Sequence, residues 1–547
     1  MLPCPQSRPE HLAARSAGLG ALLGAGLLLW HGHGWGEVGA LLQDKLVVDS
    51  LGNTVSEALT GRCVTTFCLV SATMALAFTT AALAASLACR LNRRLLAFTS
   101  LLGQALAALP VAGVAWWMVS GVVNGAHMPV ESLIPYVPPP ERDQASLAVG
   151  RFLWAWLLPL WVLAVPLTGE CLHAVSERLQ AAWPLPHALG LKAGGHAPSD
   201  GLRQSFRLAW AMLHDHWHAV GLLALGYVVL VEQAFALPGW GAFLADHLHT
   251  GSSRGIAAAI YACGWMAAAW ALASEVLRRC TLDGPAARWP ERASPRAGVS
   301  LPGGLLLMGG TVLFAGLVPA YEEQSWVRAF FQPWVYDALS PDLAARLQGL
   351  IPVLRQDLYA ALTATALALA VALIRGSLAW LTHAQERFPK FLFLESVAWS
   401  PLLVWVFALA TGPAACEPPW LALGLLAGTM GARQLRDLGV RQRAALHVDA
   451  ARAAGVPRWN RWRRHILPTL LPWLAGWTVH TLGTLLLWSV LLRSLPTDAA
   501  AETGTSLGTT ILASKTQVLA DPLSAALPTL LTAITVLYFW RLARMVR

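Results

Sequence analysis

Charge is scarce in this chain. Only 30 Asp and Glu and 39 Lys and Arg occur in 547 residues, 13% in all, against about 25% in a soluble domain. That composition excludes an ordinary water-soluble fold. The few acids are also placed unhelpfully for ion-coupled transport: Glu170, Glu232, Glu275 and Glu395 fall near the ends of apolar runs. A carrier driven by protons or sodium usually buries carboxyls at mid-membrane. No Gly-x-x-x-x-Gly-Lys-Ser/Thr segment occurs, so this chain lacks the loop that cradles nucleotide phosphates. The nearest glycine cluster, Gly190 to Gly195, carries Lys192 at the wrong position. The eight cysteines lack metal spacing; Cys63 and Cys68 are too far apart for a Cys-x-x-Cys pair. His31-Gly32-His33 and His214-Asp215-His216-Trp217-His218 are read as helix-end histidines, not metal ligands.

Apolar runs are what the chain has instead. Apolar residues make up 56%, and about twelve runs are long enough to cross a ~30 Å hydrocarbon core. They lie near 16–35, 64–88, 96–121, 152–175, 217–237, 256–277, 300–321, 358–381, 391–411, 418–434, 469–492 and 521–541. The fold expected is an all-α polytopic membrane protein of two six-helix halves. Arg8 and Arg15 ahead of Leu19–Leu29 resemble a signal peptide, but no small-residue cleavage site follows, so the first span is expected to stay.

The formal charge of +9 reports topology. With the N-terminus in the cytoplasm and alternating spans, roughly three-quarters of the Lys and Arg fall inside, which is the positive-inside asymmetry. Arg90, Arg93, Arg94, Arg278, Arg279 and the run from Arg433 to Arg464 are then cytoplasmic. Glu37, Asp44, Glu131, Glu322 and Asp337 are outside. No nucleic-acid partner is needed to explain the basic balance. A membrane setting with both termini cytoplasmic is expected.

The halves are 1–282 and 300–547, joined by a polar, Pro- and Arg-rich linker at 283–299. Each half shows one span, a long outer segment, three spans, a long cytoplasmic loop and two final spans. Such repeats commonly build a translocation path at their interface. Ala344–Leu350 and Trp334–Leu339 are candidate short helices on the outer surface.

The cytoplasmic loop of the second half, 435–468, holds the most specific segment. Asp449-Ala450-Ala451-Arg452-Ala453-Ala454-Gly455 is followed by Arg464-His465-Ile466-Leu467-Pro468. Small residues allow a short helix to lie close to a partner, and Gly455 supplies the positive φ that ends it. Pro468 suits the first turn of the next helix. An ordinary basic loop accounts for the arginines alone, but not for the joint spacing of Asp-Ala-Ala, Gly and Leu-Pro.

This segment resembles the signature loop of ABC importer permeases: Glu-Ala-Ala, three residues, Gly, nine residues, Ile-x-Leu-Pro. Asp449 stands for the Glu and His465 for the Ile, while Ala450, Ala451, Gly455, Leu467 and Pro468 match. With Ser400-Pro401-Leu402-Leu403 and Gly431-Ala432-Arg433, residues 300–547 look like the second permease subunit of the dipeptide/oligopeptide/nickel group. The first half resembles the other subunit over roughly 50–280, through Ser50-Leu51-Gly52-Asn53-Thr54, Leu109-Pro110, and Glu232 with Phe235, Pro238, Gly239 and Gly241 near an outer gate.

The resemblance implies a type I importer permease with both subunits fused. Its ATPase-coupling residues would be Asp449, Ala450, Ala451, Ala454, Gly455, His465, Leu467 and Pro468. Its partners would be cytoplasmic ABC ATPase subunits, which bind the ATP, and an extracytoplasmic solute-binding protein; the chain itself carries no catalytic residue, metal or cofactor. The cargo would be peptides or similar small solutes. Two departures stand out. The first-half loop near 185–208 has no readable register, with Gly190, Gly194 and Gly195 competing for one position and no Leu-Pro after them. Arg355-Gln356-Asp357 is the nearest remnant of the acidic entry pattern of the second half. Trp459 and Trp462 are expected to face the ATPase or lipid headgroups. The competing readings are an ion-coupled secondary transporter and a permease-derived membrane protein that no longer transports.

Overall fold

The computed structural model describes residues 31–48, 53–91, 93–126, 145–182, 223–281, 341–381, 420–443, 446–494, 506–514 and 521–546, with single positions between 17 and 29, at 217, 220, 221 and at 517. Among these residues the fold is helical; one isolated antiparallel bridge joins Val47 to Thr54. The spans expected at 300–321 and 391–411, the linker, the first-half loop with Gly190, Gly194 and Gly195, and Trp334–Leu339 lie outside the described residues.

Fifteen helices are described. The first half holds α1 (Trp35–Leu42), α2 (Val55–Leu91), α3 (Arg93–Ala107), α4 (Val111–Ala126), α5 (Ala145–Ala182), α6 (Leu223–Ala234), α7 (Trp240–His249) and α8 (Ser253–Thr281). The second half holds α9 (Pro341–Leu381), α10 (Trp420–Arg443), α11 (Leu446–Ala453), α12 (Arg458–Arg461), α13 (Leu467–Arg493), α14 (Leu507–Ala513) and α15 (Leu523–Val546). Among the described residues, six helical stretches are long and apolar enough to cross a membrane: Val55–Cys89, Trp156–Glu177, Ser253–Ser274, Ala345–Ser377, Trp459–Arg493 and Leu523–Val546. Each overlaps an expected run. The runs at 217–237 and 418–434 correspond to the shorter apolar helices Leu223–Ala234 and Leu423–Ala432.

Three expectations are corrected. The run 96–121 is not one straight span: Arg94–Ala107 and Val111–Val119 meet at 84°. The physical reason is Pro110, which has no backbone N–H to continue the helical ladder and biases Leu109 away from helical dihedrals. Ala344–Leu350 is no separate surface helix but the opening of the continuous 41-residue α9. Glu170 lies inside Trp156–Glu177, not at its end.

Helix starts follow local chemistry. Thr54 precedes α2, and Glu57 reaches back to accept from the Thr54 N–H at 2.8 Å and hydroxyl at 3.0 Å. Asp44 accepts from the Ser56 N–H at 2.8 Å. These contacts satisfy donors that a helix leaves unpaired at its start. Ser506 and Thr509 cap α14 reciprocally.

One apolar core runs through both halves. Trp217 stacks on Trp270 at 5.5 Å and meets Phe78 edge-on at 4.4 Å. Trp240, fully buried, donates from its ring nitrogen to the Ala259 carbonyl at 2.8 Å. Tyr227 of the first half stacks on Trp488 of the second at 5.8 Å. Beyond the bend, α4 crosses α15 closely: a Cβ on Gly113 would sit 1.7 Å from the Thr529 hydroxyl.

Candidate functional site: an elbow and two capped helices

The segment 446–466 forms an elbow between α10 and α13. α11 ends at Ala453, and Gly455 takes φ +74°. The Val456 N–H bonds the Ala451 carbonyl at 3.1 Å and the Gly455 N–H bonds that of Arg452 at 3.1 Å, which closes the helix end with a left-handed glycine. The chain then turns through α12 into a π turn, Trp462–Ile466. Turns of that type often mark functional segments. Pro468 lies in the first turn of α13, as its spacing predicts.

The elbow has an inner and an outer face. Val448 and Ala451 are buried, and Val448 packs in a small core with Leu435 of α10, Trp462, Ile466 and Leu470. Asp449, Ala450, Arg452, Ala453, Ala454 and Gly455 are exposed. Asp449 and Arg452 pair at 3.1 Å. Helical spacing separates the faces: 448 and 451 are three apart and share one side, as 450 and 453 share another. Trp459 is 54% exposed, whereas Trp462 is only 3% exposed. Trp462 is therefore not a headgroup or partner contact but the wedge that holds the elbow to its own helices. His465 is half-buried, and its carbonyl lies 3.4 Å from His447 Nε2.

The second site is at the opposite ends of the spans. Glu232, 0% exposed at the end of α6, accepts from the Thr66 hydroxyl at 2.5 Å, the Gly241 N–H at 2.6 Å and the Ala242 N–H at 3.2 Å. Thr66 in turn accepts from the Trp240 N–H at 2.8 Å. The carboxylate thus caps the start of α7, where it also meets the positive end of the helix dipole. A Cβ on Gly239 would stand 2.1 Å from the Glu232 carboxyl carbon, and one on Gly241 would stand 2.5 Å from the Val229 Cα. Glycine at both places is a steric requirement. Phe235 is buried and Pro238 exposed. The family-like motif of the first half is therefore a helix cap built into the wall of a cavity of about 410 Å³, which Arg62, Trp116, Glu232, Asp246, Ser494 and Leu512 help to line. Residues of both halves contribute to it.

Asp357 does the matching work in the second half. It is 0% exposed on α9 and accepts from the Leu507 N–H, at the start of α14, at 2.7 Å. Arg493, the last residue of α13, lies 3.4 Å from its other oxygen. Sequence reasoning named Asp357 only as a remnant; an acid near the entry of an apolar run was the available signal.

Several histidines and acids outside these sites have ordinary partners. His33 is held by Ser253 at 2.8 Å and Glu37 at 2.9 Å. Glu37 also pairs with Arg254 at 2.5 Å, and that hydrogen bond holds the Glu37 carboxyl below its usual range. His480 stacks on Trp540 at 5.6 Å. Among the described residues, no group of three or more His, Cys, Asp or Glu is arranged to hold a metal ion.

No curated protein and no solved structure matches this chain. Its residues 314–546, which contain α9 to α15 and the elbow, match the family model of the binding-protein-dependent transport system inner membrane component.

Proposed function

We propose that this chain is the fused permease of an ABC importer of the dipeptide/oligopeptide/nickel type, moving peptides or similar small solutes. Separate ATPase subunits dock on the elbow and bind the ATP; a solute-binding protein delivers cargo to the outer cavity. The observation that carries this reading is the elbow itself. Its outer face presents small residues, Ala450, Ala453 and Ala454, and its inner face is wedged by Trp462 into α10 and α13. A push on α11 therefore reaches the spans without passing through a flexible tether. The match over 314–546 supports a permease role for this half. The repeated cap, Glu232 before α7 and Asp357 before α14, supports a second, related half.

ATP closing two ATPase subunits would move the elbow and rock the halves between inward- and outward-open states. The test is purification of the full chain from its native membranes, with mass spectrometry of what accompanies it. An ATP-binding subunit should co-purify and be lost on Gly455→Trp at unchanged permease yield. Retention of that subunit by the variant sinks the docking site. Uptake driven by an ion gradient without nucleotide would favour a secondary transporter.

A further inference from the structure

The first-half loop has no readable coupling signature, yet the base of that half is gripped by the second. Arg544, two residues before the end of α15, reaches across to α5. Its Nη2 lies 2.5 Å from Glu177 Oε1 and 2.7 Å from His173 Nε2. For Nε2 to accept from Arg544, the imidazole proton must sit on Nδ1, which faces the Ser100 hydroxyl of α3 at 3.0 Å. α5 is bolted to α3 at two further points, Ser176 to Thr99 at 3.1 Å and Gln180 to the Leu96 carbonyl at 3.0 Å. The described part of α5 ends at Ala182, just before the loop that lacks a signature.

At its other side α15 is locked to α13. Trp540 donates to the Thr484 hydroxyl at 3.1 Å, and its ring stacks on His480. α13 leads directly out of the elbow. The path from elbow to α13, α15, Arg544 and α5 is therefore continuous side-chain contact. A lone exposed ion pair would be too weak and too mobile to carry motion. Here the guanidinium is shared between a carboxylate and a partly buried imidazole that is itself anchored, which fixes its geometry.

We propose that Arg544 is a transmission residue: it clamps the last helix of the second half to the base of α5, so that one elbow drives both halves. This rests on the reading of 446–466 as the motor contact. The clamp substitutes for the coupling signature that the first-half loop lacks in its sequence.

The test uses the full chain with the ATPase subunits that accompany it. Ala236→Cys, at an exposed residue lining the outer cavity in the first half, reports opening through its rate of modification by a membrane-impermeant maleimide, with the rate of the unsubstituted chain subtracted. A non-hydrolysable ATP analogue should change that rate. Arg544→Ala should abolish the change while the ATPase still co-purifies. Glu177→Arg should do the same, and the charge swap Arg544→Glu with Glu177→Arg should restore it. A full nucleotide response in Arg544→Ala, or a folded, ATPase-bound swap that stays silent, overturns the clamp alone. An ATPase-free chain, or a bound ATPase with no nucleotide response in the parent, overturns the elbow reading and the clamp with it.

Discussion

Asp357 and Leu507 are 150 residues apart in sequence and 2.7 Å apart in space, carboxylate oxygen to backbone nitrogen. The first half repeats the arrangement with different residues. There Thr66 of α2 takes the N–H of Trp240, the first residue of α7, and Glu232 from the end of α6 completes the cap. In the second half the acid has moved to the long helix, α9, and an arginine, Arg493, occupies the end of the preceding one. Long helix, preceding helix and short helix meet at one polar knot in both halves. The two knots are built alike from different residues.

Breaking either knot should be costly. Glu232→Ala orphans the buried Gly241 N–H and Thr66 hydroxyl and the half-buried Ala242 N–H, and should destabilise the protein by about 2–6 kcal/mol at ~1–3 for each of the two buried groups. Asp357→Ala should cost a similar amount because it also leaves Arg493 unpaired. Thermal aggregation in detergent measures both. Wild-type stability in either variant would show that the caps carry no weight.

Gly113 and Thr529 mark a close approach between α4 and α15. Gly113→Ala should overpack it, at about 1–3 kcal/mol. Thr529→Gly in the same chain should recover much of the loss, because it removes the atoms that the new methyl meets. Additive losses in the double variant would disprove direct contact.

The two faces of the elbow should respond differently to bulk. Ala451→Trp must displace the core around Val448 and Trp462 and should lower stability. Ala450→Trp points outward and should leave folding intact while blocking partner binding. Comparing melting and co-purification for the two variants separates them; equal melting losses would mean that the faces are misassigned.

Glu37 ties α1 to the start of α8 through Arg254. Its folded carboxyl is held below the ordinary 4.5. The tie therefore contributes fully above that value and is lost as pH falls below it. Limited proteolysis around α1 should accelerate in acid, and Glu37→Gln should flatten that dependence. An unchanged acid response in the variant would place the effect elsewhere.

Much of this was legible from residue order, for physical reasons. Gly455 can adopt the positive φ that other residues avoid, and Pro468 has a fixed φ and no N–H, so their spacing predicts the helix end and the helix start found here. Long apolar runs translate directly into helices because lipid leaves the backbone no other partner. What stayed hidden depends on side chains meeting across the sequence. The Ala451 methyl faces inward and that of Ala450 outward, a distinction set by where Trp462 lodges. Arg544, His173 and Glu177 form no local pattern, since 371 positions separate the arginine from the imidazole. Leu109-Pro110 stands out in the sequence, but a proline within an apolar run permits a kink as readily as an 84° corner.

That corner has a consequence of its own. A straight rod through the bilayer touches its neighbours along one line, but a rod folded at Pro110 offers two limbs with separate allegiances. The first limb, α3, is pinned to α5 through Thr99 and Ser100; the second, α4, lies against Thr529 of α15. One short stretch of the first half therefore meets the same foreign helix that also reaches down to Glu177. Stiffening the joint, for instance by replacing Pro110 with alanine, would force a choice between those two allegiances.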